Sequence, residues 1–252
     1  MKKYKLKISF NGASYLGWQS QKDFSPTVQD ELEKTLSVVF KEKIKTLGSG
    51  RTDTGVHSLE HLVLFEASLE IPLGGLIKAL NSHLPDSIRV LAAFDGEGFH
   101  PLADVKWREY RYLFTNNDLV LPHQAEIITN HRMPLDIEAM QRACRLFVGE
   151  HDFTDFHCKG SDTTSNIRII RECEILSQKM DFHGILPKHF YLRIVGNGFL
   201  KQMVRSIMGV LFKAGEGKIT EDEIVKSLES PIGNTIAPIA PPNGLFKYKL
   251  TL

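Results

Sequence analysis

Gly48-Ser49-Gly50-Arg51-Thr52-Asp53-Thr54-Gly55-Val56-His57 lies between two apolar runs, residues 44–47 before it and 62–65 after it. Short apolar runs on either side of a glycine-punctuated stretch read as two strands joined by a loop. A bare reversal of the chain would need only Asn-Gly or Asp-Gly. Three glycines instead let the backbone take positive φ and let a ligand come close. Such a loop would present Asp53 and Arg51 at a surface. The plainer reading is a hairpin connection whose aspartate bonds its own backbone, and the rest of the chain must be weighed against it.

Working outward, residues 3–10 alternate as Lys-Tyr-Lys-Leu-Lys-Ile-Ser-Phe, a strand with one buried face, closed by Asn11-Gly12. Residues 27–41 predict an amphipathic helix with Val28, Leu32, Leu36 and Phe40 on one stripe and Thr27 with Asp30 as a capping box. A second helix fits 73–84, stopped by Pro85, and a strand fits 88–94. The order is β-α-β-β-α-β, the split βαβ or ferredoxin-like plan. The second half roughly repeats it: strands at 107–114, 167–176, 190–195 and 245–252, and helices at 136–148, 199–213 and 220–228, the last with Thr220 and Glu223 as a capping box. The expected fold is α+β: two ferredoxin-like domains, 1–98 and 99–252, with mostly antiparallel sheets meeting at a cleft. Clefts between domains are favoured ligand sites.

Hydrophobic content of 42% with 24% charged residues in 252 is ordinary for a globular chain, and no apolar run is long enough to span a bilayer. The basic N-terminus leads into an alternating strand and not a signal-peptide core, so a cytoplasmic location is expected. Three scattered cysteines, Cys144, Cys158 and Cys173, argue against a disulfide framework. Cys158 lies near His151 and His157, but the spacing matches no zinc pattern, and no metal is expected. A net charge of +1 announces no nucleic-acid partner, yet it leaves room for a local basic stripe. Basic residues cluster at Lys106, Arg108 and Arg111, at Arg168 and Arg171, and at Lys201 and Arg205. They read either as one wall of an RNA-binding cleft or as solvated faces balanced by nearby acids.

Three separated motifs, in order, resemble the tRNA pseudouridine synthase A (TruA) family, which isomerises uridines 38, 39 and 40 of the anticodon stem-loop. The first is the loop itself, similar to Gly-Arg-Thr-Asp-Ala-Gly-Val-His. The second is Arg108-Glu109-Tyr110-Arg111-Tyr112, which resembles an Arg-x-Tyr-x-Tyr strand. The third is Gly198-Phe199-Leu200-Lys201-Gln202-Met203-Val204-Arg205, which resembles a Phe-Leu…Met-Val-Arg motif. Tyr15-Leu16-Gly17-Trp18-Gln19, Thr27-Val28-Gln29 and Ala240-Pro241-Pro242-Asn243-Gly244-Leu245 also look like the family, so the likeness covers about residues 3–250. It implies that Asp53 is the catalytic carboxylate, that Arg205 pairs with it and that Tyr110 packs on the target uracil, with Leu200 in the same substrate-binding set. It also implies a homodimer in which one tRNA touches both subunits. Thr54, Ser58, Glu60, His61 and Thr164 depart from the usual pattern, and they bear on RNA affinity or substrate choice more than on chemistry.

Pseudouridine formation breaks the N1–C1′ bond of uridine, rotates the uracil and joins C5 to C1′. Nothing is oxidised and no group enters, so no cofactor is implied. That suits a chain without a P-loop or GxGxxG. One ionised carboxylate must act at the sugar, by attacking C1′, by attacking the base, or by taking the C2′ proton. The target base must also leave its stack, which costs a few kcal/mol. Arg51, a planar fork, suits filling the vacancy, Tyr110 suits stacking on the base, and Lys106, Arg108 and Arg168 suit phosphates. Two rival classes remain: an RNA-binding module without catalysis, and a phosphate-handling enzyme using the glycine loop as an anion cradle. Asp53 is of no use to the first and would repel the substrate of the second.

Overall fold

The computed structural model describes residues 1–22, 26–116, 119–158, 164–178 and 186–252. They divide into two units, Met1–Lys106 with Phe246–Leu252, and Trp107–Leu245.

In the first unit β1 (Lys2–Phe10), α1 (Val28–Phe40), β2 (Thr46–Gly48), β3 (His57–Ala67), α2 (Leu73–His83) and β4 (Ile88–Asp95) follow in the expected β-α-β-β-α-β order. β1 alternates because its Tyr4, Leu6, Ile8 and Phe10 are buried while the residues between them are not. α1 lays Val28, Leu32, Leu36 and Phe40 into the same core, and α2 adds Leu76 and Leu80. Thr27 caps α1 by accepting the Asp30 N–H, one half of the expected capping box; the Asp30 carboxylate accepts from the Thr27 hydroxyl instead of closing the box. β1 sits between β4 and β3, antiparallel to both. The other edge of β3 is shared: β2 pairs antiparallel with Val63, Leu64 and Phe65, and the C-terminal β10 (Leu245–Thr251) pairs parallel with His57 and Ser58. β2 stops at Gly48, and β10 takes the stretch of edge that β2 leaves.

The second unit begins with β5 (Trp107–Thr115), α3 (Pro122–Ala125), β6 (Thr129–Asn130), α4 (Ile137–Leu146) and β7 (Gly149–Asp152). After a single 3-10 turn at Thr154–Phe156 come β8 (Ile167–Gln178), β9 (His189–Gly196), α5 (Met203–Gly215) and α6 (Glu221–Glu229). The sheet runs β5-β9-β8-β7 with antiparallel neighbours, and β6 lies parallel on β5. Mixed helices and mostly antiparallel strands make the fold α+β. α6 carries the full capping box of Thr220 and Glu223. α5 departs from the sequence reading, which started it at Phe199. Gln202 takes a left-handed φ of 60°, and the Met203 N–H turns back to the Leu200 carbonyl. The helix starts only at Met203, so Leu200 lies in the turn before it. α5 is buried nearly all round, which accounts for its apolar sequence.

Candidate active site

Backbone hydrogen bonds fasten much of the loop of the first unit. The Trp18 N–H donates to the Thr52 carbonyl at 3.2 Å, Gly55 N–H to Tyr15 O at 3.2 Å, and Val56 N–H to Asp53 O at 3.2 Å. Segment 12–18 therefore lies directly against 52–56. Only glycine permits this approach: a Cβ on Gly12 would stand 2.0 Å from the Val56 carbonyl oxygen, and one on Gly17 2.4 Å from that of Thr52. Gly50 and Gly55 both hold positive φ, 116° and 77°. The outcome is a turn in which Arg51 is exposed and Asp53 half-buried. His57 belongs to the frame. It accepts the Gly12 N–H at Nδ1 and stacks on Phe246 at 4.6 Å. Lys106 ends this unit, exposed, with its N–H on the Thr251 carbonyl.

In the second unit the alternation of β5 separates two groups of residues. Glu109 and Arg111 share one face and join Arg193 on β9: Arg111 Nε lies 2.8 Å and Arg193 Nε 3.3 Å from Glu109 Oε1, and Arg193 also pairs with Glu172 and Glu174. Arg111 is thus engaged with an acid and stands on the face opposite Arg108, so the Lys106, Arg108 and Arg111 cluster of the sequence is not one wall. Arg108 and Tyr110 share the other face. Arg108 Nη1 donates to the Asn197 carbonyl at 2.7 Å, Arg168 Nε lies 3.4 Å from the Cβ position of Gly198, and Tyr110 packs edge-to-face on Phe199 at 5.0 Å. The 197–199 turn therefore gathers Arg108, Arg168 and Tyr110. Burial, with Arg168 adding to it, holds the Arg108 guanidinium below its usual pKa. Two cations brought so close without full hydration suit an anion.

Arg205 is aimed by the chain segment beside α5. Its Nε donates to the Ala240 carbonyl at 2.8 Å, and the Ala240 N–H returns to the Arg205 carbonyl at 3.1 Å. One turn on, a Cβ at Gly209 would lie 2.0 Å from the Pro238 oxygen, so glycine is what lets this segment lie along the helix. Leu200 is buried.

Sequence reasoning took Gly12 as a strand end and Gly198 as part of a motif without giving either a role in the site, and it did not single out Asn197 or Gly209, since these roles come from what packs against them. Asn-Gly is itself a turn signal and could have been noticed. Of the departures from the family pattern, Ser58 and His61 are buried, and the half-buried Glu60 pairs with Lys7 at 3.2 Å. No helix among the described residues is long and apolar enough to cross a membrane.

The chain matches the family model described as tRNA pseudouridine synthase over residues 7–100 and 143–251. Proteins named tRNA pseudouridine synthase A are similar to it over nearly their whole length. That of Thermoanaerobacter sp. (strain X514) is 38% identical, covering 99% of both chains, and that of Thermosipho melanesiensis is 37% identical with the same coverage. That of Limosilactobacillus fermentum is 32% identical over 100% of this chain and 96% of its own. With the glycine-dependent turn at Asp53 and this agreement along the chain, the protein belongs to the tRNA pseudouridine synthase family.

Proposed function

We propose that this chain converts uridines 38, 39 and 40 of the tRNA anticodon stem-loop to pseudouridine, with Asp53 as the reacting carboxylate. The observation that carries the reading is the Arg51–Asp53 turn: a half-buried carboxylate, with an exposed arginine two residues before it, held by backbone contacts of Trp18 and Tyr15 in a chain that belongs to this family. Asp53 acts at the sugar to open the N1–C1′ bond. The uracil turns, C5 joins C1′, the C5 proton is released to solvent and N1 takes one up, so atoms and charge balance. Arg205 keeps the carboxylate ionised against desolvation, while Tyr110 and Leu200 hold the flipped base. Arg51 enters the vacated stack, and Lys106, Arg108 and Arg168 hold phosphates. In this reading residues 1–98 and 99–252 form two ferredoxin-like domains facing each other across a basic cleft, the first bringing the carboxylate and the second the tyrosine and Arg205. The strand order β4-β1-β3-β2 of the first unit supports that plan. The working form is a homodimer in the cytoplasm.

The test is tritium release from a tRNA transcript labelled at uracil C5, with the product mapped by position. The wild-type chain releases tritium and modifies the three anticodon-stem positions. Asp53→Asn keeps the shape of the side chain, removes its charge, and should bind tRNA but release nothing. Turnover by purified, folded Asp53→Asn would sink the assignment. Binding without turnover by the wild type would favour the non-catalytic RNA-binding class.

A further inference from the structure

Lys247 on β10 is 1% exposed, although burying an ammonium is costly and an apolar residue would pack there without that cost. Its Nζ donates to the Ser49 carbonyl and to Ser49 Oγ, each at 2.9 Å, and lies 3.1 Å from His61 Nδ1. Burial, and after it the Lys247 charge, hold the His61 pKa well below its usual value. The imidazole is therefore neutral and accepts from the ammonium at Nδ1. His61 in turn packs on Trp18 at 4.1 Å between ring centres, and Trp18 is the residue whose N–H holds the Thr52 carbonyl. Ser49 is further tied to β3: its N–H donates to Leu62 O at 2.8 Å, and its Oγ accepts from Leu62 N at 3.0 Å.

The backbone just beyond Ser49 is why an anchor is needed there. Gly50 turns the chain at φ 116°, and a Cβ there would meet nothing within 4 Å among the described residues. No side chain is needed to fill space at Gly50, and the grips on Ser49 on one side and Thr52 on the other help set the path to Arg51 and Asp53. Register makes Lys247 available for this. It lies opposite Ser58 in the parallel pairing of β10 with β3, beside the edge that β2 leaves at Gly48.

We propose that Lys247 is a positioning residue for the reaction. Its buried ammonium grips Ser49 directly and, through His61, supports Trp18, and so fixes both ends of the segment that carries Arg51 towards Asp53. The inference rests on Asp53 being the reacting carboxylate.

The experiment compares full-length Lys247→Met, Lys247→Arg, Ser49→Ala and Asp53→Asn with Val63→Ala, a buried β3 residue that serves as a stability control. Melting temperature, tRNA affinity and the single-turnover rate of tritium release at saturating transcript are measured for each. Lys247→Met should lower the single-turnover rate by about tenfold to a hundredfold, the range that a small misplacement of a reacting group produces. Its tRNA affinity should stay near wild type, because the loss falls on the chemical step. Ser49→Ala should show the same pattern more weakly, and Lys247→Arg should recover part of the rate. Val63→Ala, at a similar loss of melting temperature, should keep its rate per folded molecule. If Lys247→Met and Val63→Ala have the same rate per folded molecule, the inference is overturned. If Lys247→Met does not fold, Ser49→Ala decides, and an unchanged rate overturns the inference. Turnover by Asp53→Asn would instead overturn the site reading, whatever Lys247 does.

Discussion

Gly17→Ala asks how firmly the Asp53 turn is held by the segment beneath it. Gly17 has φ 93°, and its Cβ would stand 2.4 Å from the Thr52 oxygen and 3.2 Å from the Asp53 carbonyl carbon. Ordinary contact begins near 3.4 Å, so the Thr52–Asp53 peptide or the Gly17 backbone must retreat by about 1 Å. Holding alanine at positive φ costs about 1–3 kcal/mol, and forcing extra bulk into a packed contact adds about 1–3 kcal/mol. The sum is about 2–6 kcal/mol of stability, and the displaced peptide belongs to Asp53 itself. A misplacement of that size can lower the chemical step by about a hundredfold. Gly50→Ala is the internal reference. Its φ is 116°, but its Cβ would meet nothing within 4 Å among the described residues, so only the conformational cost of about 1–3 kcal/mol applies. Urea unfolding of both proteins gives the stability difference, and single-turnover tritium release on the folded fraction gives the rate. Gly17→Ala should be the less stable by about 1–3 kcal/mol, and the slower. Equal stability and equal rate in the two variants would refute the claim that close backbone approach positions Asp53.

Two further outcomes are expected. Tyr110→Phe keeps the ring that packs on Phe199 and should bind tRNA normally, whereas Tyr110→Leu should bind it more weakly; equal, wild-type affinity of both would return Tyr110 to the core. The Glu216 side chain is largely covered, and its desolvation alone would raise its pKa, but hydrogen bonds from Lys213 and Lys218 bring it down to about 2 from 4.5. A folded-state pKa below the unfolded one stabilises above the unfolded value and is lost as pH falls through the window from about 4.5 to about 2. The melting temperature of the wild type should therefore fall across that window more steeply than that of Glu216→Gln, and parallel curves would contradict the assignment.

Much of the fold was legible because local signals agreed with tertiary packing. The period-2 pattern of β1, the stripe of α1, the caps at Thr27 and Thr220 and the stop at Pro85 are local properties, and all are realised. The start of α5 was not legible. Periodicity extends from Phe199, but Gln202 takes a left-handed turn that no residue type there announces. Short elements such as β6 and β7 carry too few residues for a period to show.

The sequence by itself determined the candidate chemistry: which carboxylate, which arginines and which aromatic stand in motifs that belong together, since motif identity is a property of the chain. It could not tell which neighbouring basic residues act together. Arg108 and Arg111 are three positions apart, and the pleat of β5 sends them to opposite faces, one to the Asn197 carbonyl and the other to Glu109. Nor could it show that a lysine five residues from the end of the chain would grip Ser49. That contact exists because β10 returns to lie parallel on β3 beside the edge that β2 leaves at Gly48. Pairing between segments so far apart in sequence is decided by the competition of whole strands for an edge. Only the tertiary structure records which strand took it.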